Sequence, residues 1–164
     1  MKQIRRATSA DAKGIHDAHM KSIREVFSKD YSPALVDAWG DRPFQEEERL
    51  AVINEQLVWV IDNSGEIEGF VQLGISGKGE MRDAHIYGLY LTPDALNQGL
   101  GRNLVEMAIM EAKTQLAKKV TLDAGVSTRP FYEKLGFKAS GPEITLQIAG
   151  TEAACIPMSL TLTT

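Results

Sequence analysis

The chain has 164 residues, of which 43% are apolar and 24% charged, and its formal net charge is −4. This composition is typical of a globular domain with a sizeable core; it excludes a disordered chain, and no apolar run approaches the ~20 residues that span a bilayer. The acidic balance also argues against nucleic acid as the main partner, because phosphate contacts need clustered lysine and arginine.

The first part of the chain is predicted to form a strand and then helices. Residues 2–7 have the pattern of a short strand, and Thr8 is a candidate cap for a helix with regularly spaced apolar residues. Pro33 can begin a short helix that ends near Trp39. A polar, acidic helix is expected over residues 44–54, before the next strand.

The middle of the chain is predicted to contain three strands and a long helix. Residues 57–61 and 67–75 form a hairpin around the turn sequence Asn63-Ser64-Gly65, and residues 81–91 form a further strand. The most regular helical spacing of apolar residues lies in residues 101–117. This segment is therefore predicted to be an amphipathic helix.

A short strand over residues 120–122, a helix over residues 127–135 and strands over residues 143–148 and 153–162 complete the prediction. The order is β-αα-βββ-α-β-α-ββ. Hairpins combined with one strand–helix–strand crossover indicate an α/β (α+β) fold, with a mixed, mostly antiparallel central sheet flanked by helices on both faces. No linker, repeat or low-complexity tract interrupts the chain, so residues 1–164 are predicted to form a single domain.

The single cysteine, Cys155, cannot form an internal disulfide, and this is typical of a reducing, cytoplasmic location. The N-terminal residues contain no secretory apolar segment. One cysteine also leaves no cysteine-based zinc cluster, and His16 with His19 lacks an acidic ligand at a suitable spacing. No metal is predicted.

A glycine-bearing turn joins the strand of residues 81–91 to the long helix. Gly99 and Gly101 remove side chains where a phosphate would need to approach the backbone. The unpaired N–H groups of the first helical turn, helped by the helix dipole, would form an anion site without a lysine. A G-x-G sequence alone is also typical of a plain loop, and neither the dinucleotide nor the P-loop fingerprint fits. Both interpretations remain open on this turn alone.

A second motif, Phe131-Tyr132-Glu133-Lys134-Leu135-Gly136-Phe137, follows about thirty residues later. In this order and spacing, the G-x-G turn and the second motif resemble the GNAT superfamily of acetyl-CoA-dependent N-acetyltransferases. The resemblance covers nearly the whole chain. It implies the GNAT-like fold, acetyl-CoA as cosubstrate, and direct transfer of its acetyl group to an amine of a small molecule or peptide.

The resemblance also implies site residues. Tyr132 would be catalytic, because a phenol with an ordinary pKa of about 10 can protonate a departing thiolate. His85 stands where the family often has a glutamate base, and an imidazole with a pKa near 6.5 suits that role. Each could instead be a packed structural residue. The implied cofactor-binding residues are Leu91, Asn97, Gln98, Gly99, Leu100, Gly101, Arg102 and Tyr132.

Three positions depart from the family pattern. Leu96 replaces a common Arg or Gln, Asn97 a common Gly, and Gly125 an asparagine that contacts pantetheine. Together with the missing glutamate base, these departures leave room for an alternative function, a non-catalytic acyl-CoA-binding sensor module. Cys155, on a late strand, is an unsuitable nucleophile, so no covalent enzyme intermediate is expected.

The acceptor site is less well defined by the sequence. In the resembling family the first two helices form one wall of the acceptor cleft, so His19, Tyr31 and Trp39 are candidate substrate-binding residues. Core or boundary packing is the alternative for each of them. The resemblance further allows a homodimer that pairs through the last strand, although nothing in the sequence requires one.

Overall fold

The computed structural model describes residues 1–162, in which eight strands form one sheet between two layers of helices. The helices are α1 (Ala12–Glu25), α2 (Pro33–Gly40), α3 (Glu46–Glu55), α4 (Leu100–Thr114) and α5 (Arg129–Lys134). The strands are β1 (Lys2–Arg6), β2 (Leu57–Asn63), β3 (Glu66–Ser76), β4 (Asp83–Leu91), β5 (Lys119–Gly125), β6 (Lys138–Ala139), β7 (Ile144–Ile148) and β8 (Thr151–Thr161). None of these helices is long and apolar enough to cross a membrane.

The sheet has the strand order β1-β2-β3-β4-β5-β8-β6, and β7 also pairs with β8. Only β4 and β5 run parallel among the described pairs; the others are antiparallel. The predicted mixed, mostly antiparallel sheet with helices on both faces is therefore confirmed. Between β1 and β2 there are three helices, so the acidic helix expected over residues 44–54 is present and the predicted order was one helix short there.

The sheet opens between its two parallel strands. Residues 84–86 of β4 pair with residues 120–122 of β5, and no pair follows within the described residues. Just after Ile86 the register between β3 and β4 shifts, which leaves Tyr87 without a partner on β3. A bulge of this kind bends its strand. The carboxyl ends of β4 and β5 therefore separate and leave a cleft in the sheet.

Apolar side chains cover both faces of the sheet. On one face α4 buries Leu104, Val105, Ala108 and Ala112 completely. On the other face α1 packs Ile15 and Ala18 against strand residues, and its later residues Met20 and Ile23 pack with α2. The cleft between β4 and β5 lies between these two layers, so groups from both can reach it.

Helix α4 ends earlier than the predicted residue 117. The N–H of Ala117 donates to the carbonyl of Ala112 at 2.9 Å, and the N–H of Leu116 donates to that of Lys113 at 3.0 Å. These two bonds form a Schellman motif, which requires a left-handed residue after the helix. Leu116 takes that conformation with φ +62° and is 69% exposed, so the helical apolar spacing predicted as far as residue 117 was wrong at this end.

Strand β8 lies inside the sheet. It pairs with β5 on one side and with β6 and β7 on the other. The two-residue strand β6 was not predicted, because two residues carry no usable alternation. Since both sides of β8 are already paired along most of its length, it offers little free edge for the dimer pairing that was expected through the last strand.

Candidate active site

A cavity of about 930 Å³ occupies the cleft where β4 and β5 separate. Its walls are formed by the start of α4, the part of β4 that does not pair with β5, the end of β5, α5, and the segment between α1 and α2. The predicted site residues that line it are Tyr31, Trp39, His85, Leu91, Asn97, Gly99, Leu100, Gly101, Arg102 and Tyr132. Residues far apart in sequence are thus brought to one cavity; Gln98 and His19 do not line it.

The turn before α4 contains two left-handed residues. Gly99 has φ +76° and Asn97 has φ +59°. Asparagine is among the non-glycine residues that best tolerate this conformation, so it can stand where the family often has glycine. The side-chain amide of Gln98 donates to the carbonyl of Asp94 at 2.7 Å. Gln98 therefore holds the turn closed by its side chain.

The first turn of α4 presents free N–H groups. The earliest of its N–H groups with a backbone partner is that of Asn103, which donates to the carbonyl of Gly99 at 3.0 Å. The N–H groups of Leu100, Gly101 and Arg102 have no hydrogen-bond partner within residues 1–162. Unpaired N–H groups and the positive end of the helix dipole together form an anion site.

Gly101 is not required by the packing of the protein itself. A Cβ added there would meet its nearest atoms, on Leu91 and Phe131, at 3.6 Å, which is ordinary van der Waals contact. A glycine within a helix costs about 0.5–1 kcal/mol relative to alanine. The space beside Gly101 therefore fits a ligand that approaches the backbone closely, as a pyrophosphate on this helix would.

Tyr132 lies on α5 with its ring buried between Phe131 and Phe137. The ring centroids are 5.0 Å and 5.8 Å away, both in edge-to-face geometry. The residue lines the cavity. Burial raises the pKa of Tyr132 well above its ordinary value, because it disfavours the phenolate. Tyr132 therefore stays protonated and can donate.

His85 is half-buried on β4, where its Nδ1 lies 2.7 Å from the hydroxyl oxygen of Thr121. That hydroxyl can donate onward to the carbonyl of Ala84 at 3.4 Å. When the Thr121 hydroxyl donates to Ala84, it accepts from His85, so Nδ1 of His85 carries the hydrogen. The lone pair of the imidazole that can accept a proton is then on Nε2. Burial lowers the pKa of His85, and the charge of Asp123 opposes that shift in part. A neutral imidazole with one free nitrogen can accept a proton.

Gly125, at the end of β5, accommodates a side chain from the other helical layer. The hydroxyl of Tyr31 occupies the space that a Cβ at residue 125 would need. The Thr128 hydroxyl also donates to the carbonyl of Gly125 at 2.9 Å. Tyr31 therefore places a polar group where the resembling family often has an asparagine side chain.

His19 lies in a different place from the one predicted. It faces a second cavity of about 300 Å³ with His16, Arg42 and Arg49. Arg49 reaches the Nδ1 atoms of His16 and His19 at 3.0 Å and 3.1 Å. His19 does point inward from α1, as its helical position predicts. Its ring, however, packs behind the ring of Tyr90, with the two ring centroids 4.1 Å apart. It is therefore removed from the main cavity.

Cys155 is buried on β8 and lines the main cavity. Burial raises the pKa of its thiol, and the nearby carboxylates of Asp123 and Glu143 raise it further. A thiol that stays protonated is a poor nucleophile. This agrees with the expectation that no covalent enzyme intermediate forms.

Several lining residues were not identified from the sequence. Phe27, Asp30, Tyr90 and Asp123 line the cavity, and Thr121 orients His85. Thr121 lies opposite His85 in the parallel register of β4 and β5, which no local pattern reveals. Tyr90 is brought to the same face as His85 by the bulge at Tyr87, which also breaks the simple alternation.

Comparison with known proteins identifies a family. The sequence matches the family described as "Acetyltransferase (GNAT) domain" over residues 27–162. It is 22% identical to the uncharacterized N-acetyltransferase YafP of Escherichia coli over 136 residues, which are 83% of this chain and 81% of YafP. It is 32% identical to a glucosamine 6-phosphate N-acetyltransferase of Trypanosoma brucei brucei over 88 residues. That match spans 52% of this chain and only 60% of the relative.

Solved structures share the fold. A GCN5-related N-acetyltransferase from Rhodopseudomonas palustris superposes with a TM-score of 0.84 and 26% identity, over 99% of this chain and 96% of that one. The PaiA N-acetyltransferase from Thermoplasma acidophilum, solved in complex with coenzyme A, gives a TM-score of 0.80 and 19% identity, over 99% of both chains. The YncA protein of Salmonella typhimurium, solved with acetyl-CoA, gives 0.73 and 20%, over 100% of this chain and 95% of that one.

Proposed function

The chain belongs to the GNAT family of acetyl-CoA-dependent acetyltransferases, and we propose that it transfers the acetyl group of acetyl-CoA directly to a primary amine. One observation supports this most strongly. A single cavity extends from the free N–H groups of α4 to the hydroxyl-bearing ring of Tyr132 and the imidazole of His85. A chain folded for other purposes would not need an anion site, a protonated phenol and a neutral imidazole in one cleft.

The residues around α4 would hold the cofactor. Leu100, Gly101 and Arg102 supply the free N–H groups for the pyrophosphate, and the space beside Gly101 admits its close approach. The Arg102 side chain lies at the same end, but its charge is compensated there by Glu106 at 2.8 Å. The part of β4 that does not pair with β5, including Leu91, lines the route towards Tyr132. Acetyl-CoA supplies the activated acetyl thioester.

Tyr132 and His85 have complementary protonation states for the transfer. A C–N bond forms between the amine nitrogen and the acetyl carbon, and the C–S bond breaks. The proton lost by the amine is accepted at Nε2 of His85, directly or through a water, while Tyr132 donates its proton to the departing sulfur. Exchange with solvent restores both groups. Atoms and charge balance without a covalent enzyme intermediate.

The chemical identity of the acceptor is less closely defined than the reaction. The Trypanosoma relative is named for a phosphorylated amino sugar. The acceptor part of this cavity, between α1 and β8, contains no cationic lining residue among residues 1–162; Arg102 lies at α4 instead. A phosphate group on the acceptor would therefore lack a partner there, and glucosamine 6-phosphate is expected to be a poor substrate.

Steady-state release of the CoA thiol tests the proposal against the sensor alternative. We expect thiol release from acetyl-CoA to require both the protein and an amine, and to yield the N-acetylated amine in equal amount. Tyr132→Phe should release thiol far more slowly while still binding acetyl-CoA. Binding without amine-dependent release across a broad amine panel would instead favour a non-catalytic acyl-CoA-binding module.

The single domain, the cytoplasmic location and the homodimer stay predictions. A single domain over residues 1–164 rests on the uninterrupted sequence pattern, and a cytoplasmic location rests on the single cysteine. A homodimer is allowed only by resemblance, and β8 offers little free edge for it.

A further inference from the structure

The acceptor end of the main cavity carries an aromatic surface. We name it the aromatic wall, and it consists of Phe27, Tyr31, Trp39 and Tyr90, all of which line the cavity. The ring centroids of Phe27 and Tyr90 lie 5.8 Å apart, and those of Trp39 and Tyr90 lie 6.0 Å apart. The faces of aromatic rings carry negative electrostatic potential and attract cations within about 6 Å. The wall therefore offers a favourable surface to an organic cation.

Two carboxylates add negative charge to the same cavity. Asp30 follows the turn after α1 and Asp123 lies on β5, and both line the cavity. Neither forms a salt bridge within residues 1–162. Arg42, in the loop before α3, and Arg49, on α3, line the second cavity. Both are near enough to Tyr90 to favour its charged form, so positive charge lies behind that ring. The lining of the acceptor end itself combines aromatic rings with two carboxylates.

A buried hydroxyl in the cavity lining lacks a partner. Ser22 on α1 is completely buried, lines the cavity, and its Oγ forms no hydrogen bond within residues 1–162. A buried polar atom without a partner costs free energy, so such atoms are nearly always hydrogen-bonded when the site is filled. A ligand N–H group at this position would satisfy the oxygen.

The acceptor end also adjoins the reaction site. Tyr31 belongs to the aromatic wall, and its hydroxyl rests against Gly125 at the end of β5. Tyr132 and His85 line the same continuous cavity. A short linear molecule can therefore place one end at the aromatic wall and the other at the reacting groups.

From these features we infer that the acceptor is a dicationic alkylamine, a primary amine with a second ammonium group at the far end of its chain. This inference rests on the proposed function and names its substrate class. The near ammonium first loses one proton to solvent, and the neutral amine then attacks the acetyl carbon. The C–N bond forms as the C–S bond breaks, the second proton of the nitrogen passes to Nε2 of His85, and Tyr132 protonates the departing sulfur. The far ammonium keeps its proton throughout, held by the aromatic wall, Asp30 and Ser22.

Three probes of equal length isolate the charge at the far end. They are 1,5-diaminopentane, 1-aminopentane and 5-aminopentanoate, whose far groups are positive, neutral and negative. Thiol release gives kcat/KM for each. We expect the diamine to exceed the neutral amine by about tenfold, because a cation gains from both the aromatic faces and the carboxylates. The amino acid should be the poorest of the three.

A matched pair of variants locates the effect. Asp30→Asn should lower kcat/KM for the diamine about fivefold, the scale of an exposed ion pair, and leave that of 1-aminopentane within about twofold. Glu25→Gln removes an exposed carboxylate at the end of α1 that does not line the cavity, and it should change neither value. Both residues are exposed, so both variants should fold.

The outcomes separate this inference from the proposed function. Equal or better turnover of 1-aminopentane or 5-aminopentanoate would overturn the acceptor class and leave the acetyltransferase function standing. If the Asp30→Asn and Phe27→Leu variants both kept an unchanged preference for the diamine over 1-aminopentane, that result would also overturn it. No turnover of all three probes would overturn the acceptor class as well, and the wider amine panel would then decide whether the proposed function falls with it.

Discussion

At the scale of single residues, burial reinforces the neutral states of the two groups proposed to react, while it also makes the phenol a weaker acid and the imidazole a weaker base. Burial disfavours the charged form of any group, so it raises the pKa of Tyr132 and lowers that of His85. The phenol therefore keeps its proton and the imidazole stays without a second one near neutral pH. These are the states that a proton donor and a proton acceptor need.

Replacement of Tyr132 by phenylalanine removes the donor and keeps the ring packing. Tyr132→Phe should lower kcat by about 10²-fold or more, the scale of general acid catalysis. Acetyl-CoA affinity should change little, because the ring still packs with Phe131 and Phe137. Turnover and a binding titration measure the two quantities separately. An unchanged kcat would remove Tyr132 from the mechanism.

The pH dependence of kcat/KM, which reports the pKa values of the free enzyme, tests His85. His85 can accept a proton only when neutral, so activity is present above its pKa and is lost as the pH falls through it. Because burial lowers that pKa, the midpoint of the acidic limb should lie below 6.5. His85→Ala should abolish this limb, and Thr121→Val, which frees Nδ1, should shift it. Survival of the limb in His85→Ala would place the base elsewhere.

At the scale of elements, each end of α4 carries a residue that is unfavourable for its local backbone. Its start carries Gly101, which the free protein does not need for packing, and its end carries Leu116 in a conformation that favours glycine. The first feature costs stability and leaves space for a ligand. The second costs stability, and nothing in the structure explains its benefit.

Gly101→Ala should separate stability from cofactor binding. The added methyl fits the free protein and removes a glycine from the first turn of α4, so the free energy of unfolding should rise by less than the ~0.5–1 kcal/mol typical of a helix interior. The same methyl occupies the space intended for the pyrophosphate, so acetyl-CoA affinity should fall. Denaturant unfolding and a binding titration measure the two effects. A variant that is more stable and binds acetyl-CoA as tightly as before would contradict this site.

Leu116→Gly should stabilise the protein through the Schellman motif. A non-glycine residue at φ +62° pays about 1 kcal/mol, which glycine avoids. For a domain of this size, that gain raises Tm by about 2–4 °C. Met110→Gly is the matched control, since Met110 is 64% exposed within the same helix and glycine there should lower Tm. A lower Tm for Leu116→Gly would show that its side chain contributes more than its backbone costs.

At the scale of the whole molecule, the fold could be predicted well because local patterns and element order agree. Alternating strands and one strongly periodic helix define a mixed sheet, and the structure follows them to within a few residues in most elements. The errors occur where a local pattern carries no signal. Residues 115–117 continue the apolar spacing of α4 although the backbone has already turned, and β6 is too short for alternation to appear.

The site could be predicted only in part from the sequence. Motif positions such as Gly99 and Tyr132 are defined by local sequence, and the structure brings them into one cavity. The partners of these residues depend on strand register and helix rotation, which no local sequence pattern reveals. Thr121 meets His85 through the parallel register, and His19 faces the second cavity although it lies on the predicted inward arc.

The central claim is that the cleft between β4 and β5 binds acetyl-CoA with its pyrophosphate at the start of α4. The most direct measurement is the thermal shift of the purified protein with acetyl-CoA, with NAD as the control nucleotide. At ~100 times the dissociation constant, binding adds about 2.7 kcal/mol of stability. That gain corresponds to a rise in Tm of roughly 5–10 °C. We predict such a rise with acetyl-CoA, none with NAD, and a smaller rise in Gly101→Ala. No rise at millimolar acetyl-CoA would contradict the account.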